Sequence, residues 1–358
     1  MTTEKLLTAA DLVEWRAVVP AHASVFGSVD YARILQSHNG YEARLYLLDT
    51  DGAQIAYPFF LRPVLALPFA AQAVLGVWWD ALTPDYTGPL QIDSAAHTVD
   101  FDLSARFTMF CQDNGIVTEF AHLHPWNWHP SLLEADLVSL DREIVYVDLT
   151  WPDERLWNDS FTYACRKNIN RARREDVRIF PATTVDHVNE FYRIYTHTMQ
   201  RNEASEKYFF SLDFFMAFFE TMPENARFMM AEYRDQVVAG TLYLHDATDV
   251  YSYLGGADQE FQQIRSTNAI VYETIQWARD AGKRRLILGG GYRPDDGIFR
   301  FKSSFSPFRS RFHVYRRIHL PYEYDRLCRA WSSYYHCDPL LNDYFPAYRS
   351  QPVLTSAI

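Results

Sequence analysis

Two groups of residues in this chain have the types and spacing to do chemistry. The first is the stretch Leu286–Lys302. It runs from an apolar Leu286-Ile287-Leu288 through Gly289-Gly290-Gly291, then Tyr292-Arg293-Pro294 and Asp295-Asp296-Gly297, to Phe301-Lys302. Glycines at a strand end let backbone approach a ligand and can turn amides toward an anion. The same residues also suit a plain helix–strand unit with a surface loop. The second group is Arg166–Arg174, with five basic residues and no acid. On a helix, Lys167, Arg171 and Arg174 share one stripe at spacings of four and three. Phe161, Cys165, Ile169 and Ala172 fall on the opposite, apolar face. Arg178 extends the stripe only if the helix runs past Glu175-Asp176. A solvated charged face and a phosphate-binding face are both open here. The lack of any acid favours phosphate, which arginine holds through paired hydrogen bonds.

The surrounding elements must position these groups. Ala269–Ala281 is amphipathic and stops at Gly282, a residue type common just past a helix end. Leu286–Leu288 then reads as a buried strand. Upstream, Arg227–Tyr233, Gln236–His245 and Asp249–Leu254 form a three-strand meander with turns at Arg234-Asp235 and Ala247-Thr248. Phe161–Arg174, Val185–Arg201 and Leu212–Glu220 read as helices, and Phe312–Ile318 as a strand. In the first half, Leu12–Val18 and Asp30–Ser37 are helical. Ala43–Asp49 and Ala53–Leu61 are strands joined at Thr50-Asp51-Gly52. Pro58 argues for an edge position. Ala96–Asn114 reads as a helix, Ile116–Leu123 as a buried strand, and Glu143–Leu149 as a strand leading out. Each half thus places a hairpin, a helix and a buried strand in the same order. The expectation is an α/β chain with domains at 1–148 and 149–318, and a tail, 319–358, packing back on the first. The tail helix, Tyr322–His336, is too aromatic to be solvated.

Composition narrows the function classes. The 358 residues are 48% hydrophobic, which fits a globular chain with a sizeable core. The net charge of −11 is uneven: residues 1–150 hold 7 Lys/Arg against 19 Asp/Glu, and the remainder 27 against 26. That field argues against a general nucleic-acid binder, and no DNA partner is expected; any nucleic-acid contact must be local. No apolar run is long enough to span a bilayer, and the N-terminus lacks the pattern of a secretion signal. Cys111, Cys165, Cys328 and Cys337 share no metal-ligand spacing and read as reduced thiols of a cytoplasmic protein. His122, His124 and His129 lie near Trp126 and Trp128, and packing suits them better than metal binding.

The chain resembles the Fem family. The resemblance rests on the order of the motifs over roughly residues 40–310. They are the basic helix Arg166–Arg174, the helix end Thr198-Met199-Gln200-Arg201, Asn268 near a helix start, Gly282 with Leu286–Gly291, and Phe301-Lys302-Ser303-Ser304-Phe305. Tyr86-Thr87-Gly88-Pro89 and Phe120-Ala121-His122-Leu123-His124-Pro125 are similar to motifs of that family's first domain. The resemblance implies two tandem GNAT-like acyltransferase domains. It also implies transfer of an aminoacyl group from aminoacyl-tRNA to an amine, on a peptidoglycan precursor or a peptide-type natural product, without metal or bound cofactor. Two departures stand out. No heptad run exists for the coiled-coil arm of several cell-wall members. The glycine-rich loop carries Pro294-Asp295-Asp296, which lowers its positive character.

The resemblance places Lys302, with Phe301, near the transferred acyl group, where a cation stabilises an oxyanion. Arg201 is positioned to hold an acceptor phosphate or carboxylate, or only to complement its helix dipole. Asp80 and Asp85 are candidate proton acceptors for the attacking amine, and equally candidate turn-formers. Tyr253, Tyr292 and Arg293 are candidates to orient the acceptor. Lys167, Arg171, Arg174 and Arg178 are the candidate tRNA phosphate ligands. Two other classes remain: an acyl-CoA-dependent GNAT N-acyltransferase and a non-catalytic glycan or peptide-binding module. Against coenzyme A, the place where GNAT enzymes carry a glycine-rich pyrophosphate turn reads Gln262–Ala269, without glycine.

Overall fold

Apolar runs of short period become strands and runs of period 3.6 become helices over residues 2–50, 53–73, 76, 78–92, 103–128, 130–293, 295–341 and 343–352 of the computed structural model. In chain order the first half holds β1 (Thr3–Thr8), α1 (Leu12–Val18), α2 (Val29–Asn39), β2 (Glu42–Thr50), β3 (Ala53–Pro63), α3 (Ala70–Ala73), β4 (Trp79–Leu82), β5 (Leu90–Gln91), α4 (Leu103–Asp113), β6 (Ile116–Leu123) and β7 (Val138–Asp148). The second half holds α5 (Asp153–Arg155), α6 (Tyr163–Arg174), β8 (Arg178–Pro181), α7 (Val185–Arg201), α8 (Leu212–Thr221), β9 (Ala226–Tyr233), β10 (Gln236–His245), β11 (Asp249–Ala257), α9 (Ser266–Asp280), β12 (Arg285–Gly289), α10 (Gly297–Ser303), β13 (Arg309–Ile318) and α11 (Pro321–Tyr335). The turn expected at Asp51-Gly52 and the first residues of the helix expected from Ala96 lie outside the described residues.

The chain divides into two units. One is Met1–Val19, Leu35–Asp141 and Phe312–Ile358; the other is Pro20–Ile34 and Arg142–Arg311. These differ from the spans expected from sequence in three places, the first being Arg142–Asp148, which joins the second unit, where Val145–Asp148 pairs antiparallel with Gly289–Arg285 of β12. The strand Phe312–Ile318 leaves the second unit because His313–Ile318 pairs antiparallel with Leu123–Thr118 of β6. The segment Pro20–Ile34 leaves the first because it sits with the second: Phe26 packs edge-on to Tyr251 at 4.9 Å, and the amide of Ala247 donates to the His22 carbonyl.

Each unit has the same strand logic. In the first, β2, β3 and β4 run antiparallel, then α4 crosses over and β6 joins parallel to β4. In the second, β9, β10 and β11 run antiparallel, then α9 crosses over and β12 joins parallel to β11. A parallel neighbour needs a helical crossover, which is why one helix stands between the paired strands in both units. These are two tandem GNAT-like α/β domains. Among the described residues the longest helix is α7, with 17 residues, and there is no coiled-coil arm.

Pro58 does not put β3 at an edge, because β2 and β4 flank that strand. It stands instead between the residues that pair with β5, Ile55-Ala56, and those that pair with β4, Phe60–Pro63. The missing amide thus falls where the ladder is open on one side. β1 carries no sequence signal: four of its six residues are exposed, as suits an edge strand.

Tyr57, Phe59, Phe107, Ile116 and Leu123 build the core of the first unit, and Val145, Ile270, Ile275, Leu286, Leu288 and Phe305 that of the second. In the tail, Leu327 and Trp331 of α11 pack with Val64, Phe69, Ala70, Val117 and Tyr348 of the first unit. Among the described residues no helix is long and apolar enough to cross a membrane.

Candidate functional site

The glycine-rich stretch folds into a closed loop around one carboxylate. β12 ends at Gly289, whose φ of +81° only glycine takes without strain. At Gly291 an added Cβ would meet Asp296 Oδ1 at 2.6 Å and the Arg293 carbonyl at 2.8 Å. The chain comes this close because Asp296 is the N-cap of α10. Its Oδ1 accepts from Phe299 N at 2.7 Å, and its Oδ2 accepts from Tyr292 N at 2.7 Å and Arg293 N at 3.0 Å. These amides, Phe299 first, hold its carboxyl below the usual carboxylate range. The loop amides expected to face a ligand anion therefore face the protein's own Asp296.

Lys302 closes the ring. It sits in the last turn of α10, and its Nζ donates to the Gly290 carbonyl at 2.7 Å. Burial lowers its pKa from 10.5 to about 8; Asp296 opposes that shift and Arg142 adds to it. No carboxylate lies within ion-pair distance of Nζ among the described residues. The result is a half-buried ammonium held by one carbonyl, with the rest of its donor capacity uncommitted to acid. Phe301, beside it, packs on Phe305 at 5.4 Å and on the core of the second unit. Pro294 lies outside the described residues, while Tyr292 (75% exposed) and Arg293 stand in solvent.

The basic helix starts where α10 stops. Thr162 caps α6, accepting from Cys165 N at 3.2 Å, while its own amide donates to the Ser304 carbonyl at 2.9 Å. Ser160 Oγ donates to the carbonyl of the following residue in that segment, Phe305, at 2.9 Å. Cys165, Ile169 and Ala172 are buried, so the apolar face lies as its periodicity dictates. The five basic residues divide. Arg166 donates to the carbonyls of Trp157 and Phe161, and Arg173 lies over the Tyr272 ring at 4.6 Å. Lys167 and Arg174 are exposed and Arg171 is half-buried; among the described residues none of the three has an ion pair. Arg178 does not belong to the stripe. The helix ends at Arg174 with Glu175 as its C-cap, Asp176 turns to φ +55°, and Arg178 on β8 grips Glu232 through two hydrogen bonds of 2.9 and 2.7 Å.

Elsewhere in the second unit, Arg201 ends α7 and donates to the Ala257 carbonyl at 3.0 Å, leaving the rest of its exposed guanidinium available. β11 can lie this close to α7 because of Gly256: an added Cβ would meet Thr198 Oγ1 at 2.8 Å and the Ile194 carbonyl at 2.9 Å. Tyr253 on β11 is half-buried, and its hydroxyl meets that of Tyr31 at 3.1 Å. Sequence reasoning missed Arg142, Tyr31 and the capping role of Asp296. Of these, only the cap had a signal, an aspartate directly before a glycine-led helix.

Comparison with known proteins adds to this geometry. Residues 159–303, from the turn before α6 to the end of α10, match a family model described as an acetyltransferase (GNAT) domain. The crystal structure of FemX superposes with a TM-score of 0.67 at 12% identity, covering 90% of this chain and 99% of that one. A UDP-N-acetylmuramoylpentapeptide-lysine N(6)-alanyltransferase of Weissella viridescens is 24% identical over 222 residues, 60% of this chain. The resemblance to the Fem family holds in fold and in sequence. The match spans 63% of that alanyltransferase, under two thirds of its length. A domain assigned to a lysylphosphatidylglycerol synthetase of Agrobacterium fabrum is also similar in fold, with a TM-score of 0.55 at 12% identity, covering 86% of this chain and 92% of that one.

Within this Fem-like fold the two candidate bases lie in the first unit. Asp80, on β4, has no solvent exposure. Its Oδ2 accepts from Arg349 Nε at 2.5 Å, and its Oδ1 accepts from Thr118 Oγ1 at 2.7 Å and from the Tyr348 hydroxyl. A carboxylate so saturated fixes the tail; it has no lone pair facing solvent for an amine proton. Asp85 is exposed on the loop after β4, with His122 Nδ1 at 3.9 Å. His122 lies edge-on to Phe120 at 4.9 Å and stacks on Phe312 at 6.1 Å. His129 lies outside the described residues. Among the described residues no group of three or more His, Cys, Asp or Glu is placed to hold a metal ion.

Proposed function

We propose that this chain is an aminoacyltransferase that moves an aminoacyl group from aminoacyl-tRNA to an amine, forming an amide bond. One observation carries the reading: a half-buried ammonium without a carboxylate partner, Lys302, is joined end to end with a helix that presents three uncompensated cations. A charged ester donor of this kind needs a cation where the carbonyl becomes an oxyanion and a separate cationic track for its phosphates. In the reaction the acceptor amine attacks the ester carbonyl, the carbon–nitrogen bond forms, and the ester carbon–oxygen bond breaks. The amine proton ends on the leaving ribose hydroxyl. Lys302 stabilises the charge on the carbonyl oxygen, and no cofactor is consumed. Arg201, Tyr253, Tyr292 and Arg293 are the residues proposed to hold the acceptor, a peptidoglycan precursor or a peptide-type product.

The GNAT match over residues 159–303 favours a second reading, acyl-CoA-dependent N-acyl transfer. The start of α9 speaks against it. Arg265 takes φ +63° there, and a full side chain stands where a pyrophosphate turn has glycine. The test is label transfer from a charged tRNA pool to amine acceptors, with and without ribonuclease, beside the same assay with acetyl-CoA. Ribonuclease-sensitive transfer supports the proposal; transfer from acetyl-CoA alone overturns it.

A further inference from the structure

The basic stripe has a fourth member that is not basic. Tyr163 is the first residue of α6 and 76% exposed; among the described residues its side chain makes no hydrogen bond or ring contact. One exposed aromatic means little by itself. Its register is the informative feature. Tyr163, Lys167, Arg171 and Arg174 follow at spacings of four, four and three, so they share an arc of about 80° over about 16 Å of helix. The opposite arc is the buried one of Cys165, Ile169 and Ala172. Tyr163 also stands at one particular end. It follows Thr162, whose amide bonds the Ser304 carbonyl, two residues past Lys302. The track therefore has a polarity: a flat ring at the end joined to the lysine helix, and cations leading away from it.

That order matches a nucleic acid whose last bases are unpaired. Unstacked bases need an aromatic face, and the phosphates behind them need cations. We propose that Tyr163 is the stacking platform for the single-stranded 3′ end of an RNA, with the duplex side of that RNA lying toward Arg174. The inference rests on the proposed aminoacyl-tRNA reading and adds to it the direction in which the acceptor end lies. An anionic membrane is the competing partner for an exposed tyrosine beside cations.

The experiment uses the full chain and fluorescence anisotropy with two uncharged RNA hairpins, one ending in an unpaired CCA and one blunt. Tyr163→Ala should weaken the tailed hairpin by about 5- to 150-fold, the range of one lost base stack. It should leave the blunt hairpin and the salt dependence unchanged, and Tyr163→Phe should restore wild-type affinity. Arg171→Gln with Arg174→Gln should weaken both hairpins. If Tyr163→Ala binds the tailed hairpin as wild type does, or loses both hairpins equally, the stacking role is overturned while the cationic track stands. If the wild-type chain binds phosphatidylglycerol vesicles and neither hairpin, both the track and the platform are overturned.

Discussion

The amide of Thr162 donates to the carbonyl of Ser304 at 2.9 Å, so the cap of the basic helix and the end of the lysine helix are one junction. Two features well over a hundred residues apart in sequence thereby become neighbours. The proposed chemistry depends on that adjacency: a cation for the reacting carbonyl at one end, and cations for phosphates leading away from it.

Lys302→Ala should lower turnover by about ten- to a thousand-fold, the upper part of which is the loss on removing a group that stabilises an oxyanion. Circular dichroism should report an unchanged fold. Full turnover in the folded variant would remove Lys302 from the mechanism.

The pH profile should carry the same signature. Burial lowers Lys302 to about 8, and the proposed oxyanion role needs the charged form, so turnover should fall as pH rises through about 8. Stability should move the other way. The unfolded chain keeps its proton up to about 10.5, so between about 8 and 10.5 it binds more protons than the folded chain, and this group's contribution to stability rises with pH. Lys302→Arg stays charged and should abolish the alkaline fall. A wild-type profile flat to about pH 9.5, well above the lysine's shifted value, contradicts the assignment.

Replacing Arg171 and Arg174 with Gln should flatten the salt dependence of tRNA binding. For each phosphate no longer neutralised, the slope should shrink by about 0.7–0.9 log units of affinity per log unit of salt. Helix content should hold, because Gln and Arg have similar helix propensity. An unaltered slope would mark the stripe as a solvated face.

Arg349→Ala leaves Asp80 buried beside two hydroxyls without its counter-charge. The cost should be about 3–5 kcal/mol, read from denaturant unfolding of the first unit. Asp80→Asn combined with Arg349→Met should recover much of that loss. If the double variant is stable but cannot transfer label, Asp80 has a chemical role after all.

Gly291→Ala drives a methyl group into the Asp296 carboxylate. It should cost about 1–3 kcal/mol, as overpacking does, and loosen the loop that positions Lys302. The readout is a fall in turnover beyond that explained by unfolding, together with an alkaline limb moved toward the ordinary lysine range.

The sequence alone settles what is local. Periodicity over a dozen residues assigned the face of α6, because residues three and four apart on a helix are neighbours whatever else the chain does. The meander, the crossover helix and the buried strand of the second unit were legible for the same reason, as was the glycine demand at the end of β12. The tertiary structure decides who meets whom across the chain. Arg178 looked like a stripe residue until the helix stopped at Arg174 and a neighbouring strand offered Glu232. Asp80 looked like a loop base until β4 buried it against Arg349, 269 residues later. The loop amides looked free for a phosphate until Asp296 folded back on them. In each case the partner is a charge or carboxylate set by long-range pairing or chain reversal. Spacing in the sequence carries no record of that, because strand pairing and burial fix it only when the whole unit has folded.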